Sequence, residues 1–273
     1  MSDLVLTEKR GLTAGPEMIA ATLTRQRSNF LRLLAKLDAD AWAAPSRCSA
    51  WSVHDVVGHV INVAELHVGL LGGGQDMERF LRHGPFSPAT TPALWLADSP
   101  RQSPEATVQT LADLVDREQE LFSARMAGPD GPLMPAPSGR LLHWSTRTLH
   151  MMWDAWIHER DVALALGLEP ESRVEDFPLV TMYGLLLAGG VGVIGGQPPA
   201  TVLALRDAAV SRYEIGVVDD DVFVAAGVDA EPDGHGDTAE VLDSLTGREP
   251  DLLRALTAPE PVIRSLGVLR HVM

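Results

Sequence analysis

The sequence has 273 residues, which is enough for one large domain or two domains of ordinary size. Hydrophobic residues make up 45% of it and charged residues 22%, a balance that is typical of a globular protein and excludes a disordered one. The formal net charge of -15 excludes sequence-independent binding to nucleic acid or to an anionic membrane, because both require clustered Lys and Arg.

The N-terminal segment MSDLVLTEKRGLTAG carries charged residues early and lacks the apolar core of a signal peptide, so the expected location is the cytoplasm. Cys48 is the only cysteine, which excludes an internal disulfide and a thiolate-rich metal cluster. The chain is therefore expected to be a soluble protein without covalent cross-links.

Most of the first two thirds of the chain has helical periodicity. Apolar residues recur at helical spacing in four long segments, 15–37, 52–71, 104–127 and 146–166. Ser52 is a good N-cap for the second of these helices. The connections are predicted to be loops, and two of them, 82–104 and 128–139, are rich in proline. Four long helices joined by loops of different lengths predict a bundle.

A long uncharged segment, Leu179 to Gly196, has about the length of a membrane-spanning helix. It contains six glycines and has no flanking basic cluster, which argues against insertion into a membrane. The sequence predicts a buried helix from about Asp176 to Leu187, followed by a glycine-rich loop.

The pattern changes to β after about residue 198. Strands are predicted over 201–205, 212–218 and 222–226, with a hairpin turn at 219–221. Asp237 is an N-cap for a helix over 238–245, and two short helices are predicted after it. The expected fold class is therefore α+β, with a helical bundle over 1–197 and a small α+β domain over 198–273.

The strongest candidate for chemistry is a pair on the fourth helix. Asp154 and His158 are four positions apart, so both project from one face of the helix. His59, in the middle of the second helix, can supply a third ligand. Two imidazoles and a carboxylate with an open fourth position are the ligand set of a catalytic zinc site. Spacing alone leaves an alternative open, because an Asp-x-x-x-His pair is more often a surface salt bridge.

Three segments resemble the mycothiol-dependent maleylpyruvate isomerase family, which belongs to the DinB-like group of metal-binding four-helix bundles. CSAWSVHDVVGHV, from Cys48 to Val60, is similar to the N-terminal signature of the family. RTLHMMWDAWIHERDVALALG, from Arg147 to Gly167, is similar to its second signature. GDTAEVLDSLTGR, which ends at Arg248, resembles its appended domain, which is related to sterol-carrier-type α+β folds.

The resemblance implies that His59, Asp154 and His158 bind a divalent metal. The family usually has Glu at the position of Asp154. Because Asp is one methylene shorter and metal–ligand distances of about 2.0–2.2 Å leave little slack, this departure predicts weaker or altered metal binding.

Further candidates have two interpretations each. His150 is a candidate catalytic residue that contacts the substrate, or it has a structural role. Arg248 is a candidate for binding an anionic substrate, or it stabilises a helix C-terminus. Cys48 is either a nucleophile or a packing residue, and Asp161 is expected to brace the bundle. The remaining histidines have no partner that the sequence identifies and are expected at the surface or in loops: His54, His67, His83, His143, His235 and His271.

The resemblance also implies a reaction class. A divalent metal, Zn²⁺ by its ligand set or else Ni²⁺, lowers the pKa of a bound thiol and so makes the reactive thiolate. The expected protein is a mycothiol-dependent isomerase or S-transferase acting on a small-molecule substrate. Two alternatives remain: a Lewis-acid metalloenzyme that uses no thiol (a hydrolase, lyase or cyclase), and a non-catalytic binding or sensor protein.

Overall fold

The structure is a computed structural model that describes residues 15–74, 77–127, 133–135, 141–171, 176–196, 200–218 and 221–269. Contacts divide the described chain into two compact units. One contains residues 15–171 and the other residues 176–269.

The first unit is built from helices. They are α1 Pro16–Leu34, α2 Ala39–Ala43, α3 Val53–Leu71, α4 Glu78–Leu81, α5 Thr91–Asp98, α6 Pro104–Ala127 and α7 Trp144–Ala163, which continues as a short 3-10 helix over Leu164–Leu166. Both α1 and α3 pack against α6 and against α7. The predicted four-helix bundle is therefore confirmed, with α1, α3, α6 and α7 as its members.

Helix α3 begins where the sequence predicts. The Ser52 hydroxyl accepts a hydrogen bond from the backbone N–H of Asp55, and the Asp55 carboxylate accepts one from the backbone N–H of Ser52. This capping box satisfies two donors that the helix start would otherwise leave without partners. The buried side chains of Val53, Val56 and Val60 then join the bundle core. The cap therefore fixes where His59 lies, between core residues in the second turn.

The segment over 82–104 is more regular than expected, because it contains α5. Pro92 lies in the first turn of this helix, where a missing N–H costs nothing, so its proline content does not indicate a loop. Part of the predicted loop over 128–139 is also regular, since β1 Leu133–Pro135 pairs antiparallel with β2 Leu141–His143. The rest of that loop lies outside the described residues.

The second unit is an α+β unit with a five-stranded sheet. Its elements are α8 Phe177–Ile194, β3 Thr201–Arg206, β4 Val210–Val218, β5 Asp221–Ala226, β6 Gly234–Asp237, α9 Thr238–Leu245, α10 Leu252–Ala255, β7 Leu256–Thr257 and α11 Glu260–Leu266. The strand order is β5-β4-β3-β6-β7, and of these pairs β3 and β6 alone are parallel. The three predicted strands and α9 with its Asp237 cap are confirmed, and β4 pairs antiparallel with β5. Residues 219 and 220 of the predicted hairpin turn lie outside the described residues. Strands β6 and β7 were not predicted.

Helix α8 differs from the prediction in length and in its packing partners. It continues through Gly189, Gly190 and Gly192 to Ile194, and no glycine-rich loop begins after Leu187. It packs on β4, β5, α9 and α11, so it belongs to the α+β unit. The contacts thus divide the described chain between residues 171 and 176, earlier than the expected boundary after residue 197. No helix in the described ranges combines the length and the apolarity needed to cross a membrane.

Candidate metal centre

Helices α3 and α7 bring His59, Asp154 and His158 together. Nε2 of His59 lies 3.4 Å from Oδ1 of Asp154, and Nε2 of His158 lies 3.6 Å from the same oxygen. One ligand atom from each of the three residues lies within 4.8 Å of the others. Although Asp is shorter than the Glu that the resemblance leads one to expect, Oδ1 of Asp154 therefore reaches both imidazoles.

These distances suit a cation between the three side chains. Bonds of about 2.0–2.2 Å at a tetrahedral angle place neighbouring ligand atoms about 3.3–3.6 Å apart. The second carboxylate oxygen, Oδ2 of Asp154, is buried, and no described residue donates a hydrogen bond to it. A buried carboxylate oxygen without a donor is costly, and a bound cation would remove that cost. The donor set and its geometry fit a divalent metal.

Aromatic packing holds the two imidazoles in place. The His59 and His158 rings meet edge to face, with centroids 4.8 Å apart and an interplanar angle of 79°. His59 also packs on the indole ring of Trp51, with ring centroids 5.2 Å apart. Both histidines are buried, with 6% and 8% of their surface exposed. Their orientation is thus set by the bundle before any ligand arrives.

The charges of the site are coupled. Burial opposes ionisation of Asp154, but the charges of His158 and His59 keep the pKa of its carboxyl well below its usual range. Burial also opposes a charge on His158, yet Asp154 and a hydrogen bond to Asp161 raise the pKa of this imidazole to about 10. Without a cation the site therefore holds a proton on His158. A cation that bound here would have to displace that proton, so its affinity would increase with pH.

Asp161 has a role that the sequence analysis missed. Nδ1 of His158 donates a hydrogen bond to Oδ2 of Asp161 at 3.0 Å, and the Asp161 side chain is fully buried. A carboxylate that accepts the proton of Nδ1 fixes the tautomer of His158 and turns its Nε2 toward Asp154 and His59. The thiol of Cys48 donates to the same oxygen at 3.1 Å. The spacing of His158 and Asp161, three positions on one helix, was the available signal.

The two candidate catalytic residues lie in different units. His150 is on α7, one turn before Asp154. Burial and the charge of Arg147 lower the pKa of His150 to about 4, while the charge of Asp154 raises it. It is therefore neutral at physiological pH. Arg248 follows α9 in the α+β unit, where its Nη1 donates to the carbonyl oxygen of Thr246 at 2.8 Å. The roles of both residues stay predictions.

One of the other histidines is a clear exception to the expected surface position. His67 is fully buried, and its Nδ1 donates to Oε1 of Glu118 at 2.8 Å. Glu118 also forms a buried ion pair with Arg27, with Nε and Oε2 2.8 Å apart. The sequence could not reveal this partner, because 51 residues separate His67 from Glu118.

Three of the remaining histidines contact polar groups of other described residues. His54 lies 3.2 Å from the Thr107 hydroxyl, His83 pairs with Asp98, and His143 accepts from the backbone N–H of Ser145 at the start of α7. His235 is exposed on β6, as expected, and His271 lies outside the described residues.

Comparisons with known proteins bear on this site. Residues 23–163 match the family model of the mycothiol maleylpyruvate isomerase N-terminal domain, a segment that includes His59, Asp154 and His158. No curated protein sequence matches the chain significantly.

Two solved structures resemble the fold over 91% of this chain and 96% of their own. The crystal structure of the mycothiol-dependent maleylpyruvate isomerase has 18% identity and a TM-score of 0.58. A mutant of that isomerase with one histidine replaced by alanine has 17% identity and a TM-score of 0.57. At these identities the structures establish the fold.

Proposed function

The chain belongs to the family of the mycothiol maleylpyruvate isomerase N-terminal domain, and from that premise we propose that it is a metal-dependent isomerase that uses mycothiol as cosubstrate. The observation that carries the proposal is the pair of imidazoles around Asp154, whose buried Oδ2 accepts no hydrogen bond from any described residue. Such a carboxylate is suited to a cation, and the two histidines complete the ligand set of a catalytic zinc site.

Each residue of the site has a part in this proposal. His59, Asp154 and His158 would hold the cation, which, when bound, lowers the pKa of a coordinated thiol so that the thiolate is available near neutral pH. Asp161 keeps the proton on Nδ1 of His158 and leaves Nε2 as the ligand atom. The indole of Trp51 limits rotation of the His59 ring.

The proposed reaction is isomerisation about a conjugated double bond. The thiolate sulfur forms a bond to one alkene carbon, and the π electrons move onto the conjugated carbonyl. The remaining single bond rotates; the electrons then return, the carbon–sulfur bond breaks and the thiol leaves unchanged. His150, neutral at physiological pH, is the candidate for accepting the proton of the thiol before addition and returning it when the thiol leaves. Arg248 is the candidate for pairing with a substrate carboxylate. An S-transferase would differ in that the carbon–sulfur bond persists and the other carbon of the former double bond takes up the proton.

The test combines metal content with thiol-dependent turnover of maleylpyruvate. We expect near-stoichiometric zinc or nickel in the purified protein and isomerisation only when mycothiol is present. Asp154→Asn keeps the shape of the side chain and removes its charge, so it should lose both metal and activity. Asp116→Asn, at an exposed position on α6, is the matched control and should lose neither.

Two other results of this test would favour a different function. Turnover that requires metal but no thiol would favour a Lewis-acid enzyme. A protein that takes up no metal even after incubation with zinc would favour a binding protein on the same fold.

A further inference from the structure

His158 faces two different groups of metal-binding side chains, one from each ring nitrogen. Nε2 faces Asp154 and His59, as described above. Nδ1 lies 3.0 Å from Oδ2 of Asp161 and 3.9 Å from Sγ of Cys48, and Sγ and Oδ2 are 3.1 Å apart. Cys48, His158 and Asp161 thus form a second group of three whose ligand atoms lie within 4.8 Å of one another.

The geometry of this second group is close to that of a bound cation. Tetrahedral bonds of about 2.3 Å to sulfur and about 2.0–2.2 Å to nitrogen and oxygen separate the ligand atoms by about 3.3–3.7 Å. The observed separations of 3.0–3.9 Å differ from these by about half an ångström or less. The backbone around Cys48 is itself held in place, because its N–H donates to the Ser46 hydroxyl and its carbonyl accepts from the N–H of Trp51.

We propose that Cys48, His158 and Asp161 form a second metal site, selective for a thiophilic divalent cation, and that its occupation is incompatible with metal binding by His59, Asp154 and His158. A thiolate ligand favours soft or borderline ions such as Cd²⁺ or excess Zn²⁺ over Mg²⁺ and Ca²⁺. Binding releases two protons, one from the thiol of Cys48 and one from Nδ1 of His158.

The incompatibility follows from the chemistry of imidazole. A neutral imidazole has one ring nitrogen with a free lone pair and one that carries a proton. When Nδ1 binds a cation, Nε2 keeps the proton and cannot be a ligand. A cation at the second site therefore removes His158 from the first site and leaves it with His59 and Asp154. The consequence for activity, inhibition by thiophilic ions, rests on the proposed function, whereas the site itself does not.

The site is tested by titrating the full chain with Cd²⁺ and following the ultraviolet charge-transfer band of a cadmium thiolate. Because Cys48 is the only cysteine, the band has one possible origin. We expect it to saturate at one equivalent in the wild type and in His59→Ala, and to be absent in Cys48→Ser. Appearance in His59→Ala keeps this test separate from the proposed function, since that variant lacks a ligand of the first site. A wild type without the band would overturn the proposal.

A second comparison separates a built site from a thiol that binds alone. Removing His158 or Asp161, as His158→Ala or Asp161→Asn, should weaken Cd²⁺ binding at least about tenfold, provided that circular dichroism reports an intact fold. Unchanged affinity in both variants would mean that Cys48 binds by itself and would overturn the site.

The incompatibility is tested on zinc-loaded protein with a chromogenic zinc indicator. Cd²⁺ should release more zinc from the wild type than from Cys48→Ser, which measures direct exchange at the first site. Equal release from both proteins, or a full thiolate band with zinc retained, would overturn the mutual exclusion.

Discussion

The Nδ1–H group of His158 donates to Asp161, so this buried carboxylate decides which ring nitrogen faces Asp154 and His59. Asp161→Asn keeps an acceptor oxygen but loses the charge, and we expect zinc affinity to fall by about 10- to 100-fold. A competition titration against a chelator of known affinity measures this change. Asp116→Asn is the control, and equal affinities of the two variants would mean that Asp161 does not position the ligand.

His150 gives a prediction for pH dependence. The unfolded chain binds a proton at this histidine near pH 6.5, whereas in the folded protein burial and Arg147 lower its pKa to about 4. The folded state is therefore destabilised as the pH falls from about 6.5 to about 4. NMR of the imidazole protons, assigned with His150→Gln, should detect no titration of His150 above pH 5.5. A midpoint near 6.5 in the folded protein would contradict this placement.

At the scale of secondary structure, one polar network links all four helices of the bundle. Arg27 on α1, Glu118 on α6, His67 on α3 and Thr148 on α7 form a continuous set of contacts. Burial favours the protonated form of Glu118, but the charge of Arg27 and the hydrogen bond from His67 lower its pKa. The contribution of this carboxylate to stability is thus present above pH 4.5 and is lost as the pH falls through its lowered pKa.

Removal of the carboxylate should be costly, because Arg27 would remain as a buried charge without compensation. We expect Glu118→Ala to lower the free energy of unfolding by about 3–5 kcal/mol in urea titrations. The exposed Glu120→Ala, two positions away, should change it by less than about 0.5 kcal/mol. Replacing both partners, as Arg27→Met with Glu118→Leu, should recover most of the loss, since neither buried charge remains. Similar free energies of unfolding for Glu118→Ala, Glu120→Ala and the double variant would show that the network does not stabilise the fold.

The same elements explain what the sequence could and could not predict. Apolar periodicity specifies α1, α3, α6 and α7, and the signatures around His59 and His158 pointed to side chains that the fold brings together. Strand β6 was missed because Gly234 and Gly236 are poor strand formers; tertiary pairing with β3 overrides their propensity. Glycines within α8 led to the same error, because a loop was expected after Leu187 where the helix continues to Ile194. The long-range partner of His67 depends on packing, which local patterns do not encode.

For the molecule as a whole, the division into two units predicts which elements a bound metal protects from amide hydrogen exchange. The three candidate ligands all lie in the helical unit, on α3 and α7. Zinc should therefore slow amide hydrogen exchange in these helices and leave the strands β3 to β7 unchanged, as measured by mass spectrometry on the full chain. His59→Ala should abolish the effect on α3, because His59 is the one candidate ligand on that helix among the described residues. Equal protection of the strands would indicate a ligand from the α+β unit.

The position of α8 in the chain sets an order of events during synthesis. This helix has no charged residue, and β4, β5, α9 and α11, which pack on it, all follow it in the sequence. A ribosome that adds roughly 5–20 residues per second needs roughly 4–15 s to make the chain from residue 195 to the end of α11. During this time the apolar side chains of α8 cannot yet pack against β4, β5, α9 and α11. Any slowing of translation over these residues lengthens the period in which chaperones, and not the fold itself, protect the nascent chain from aggregation.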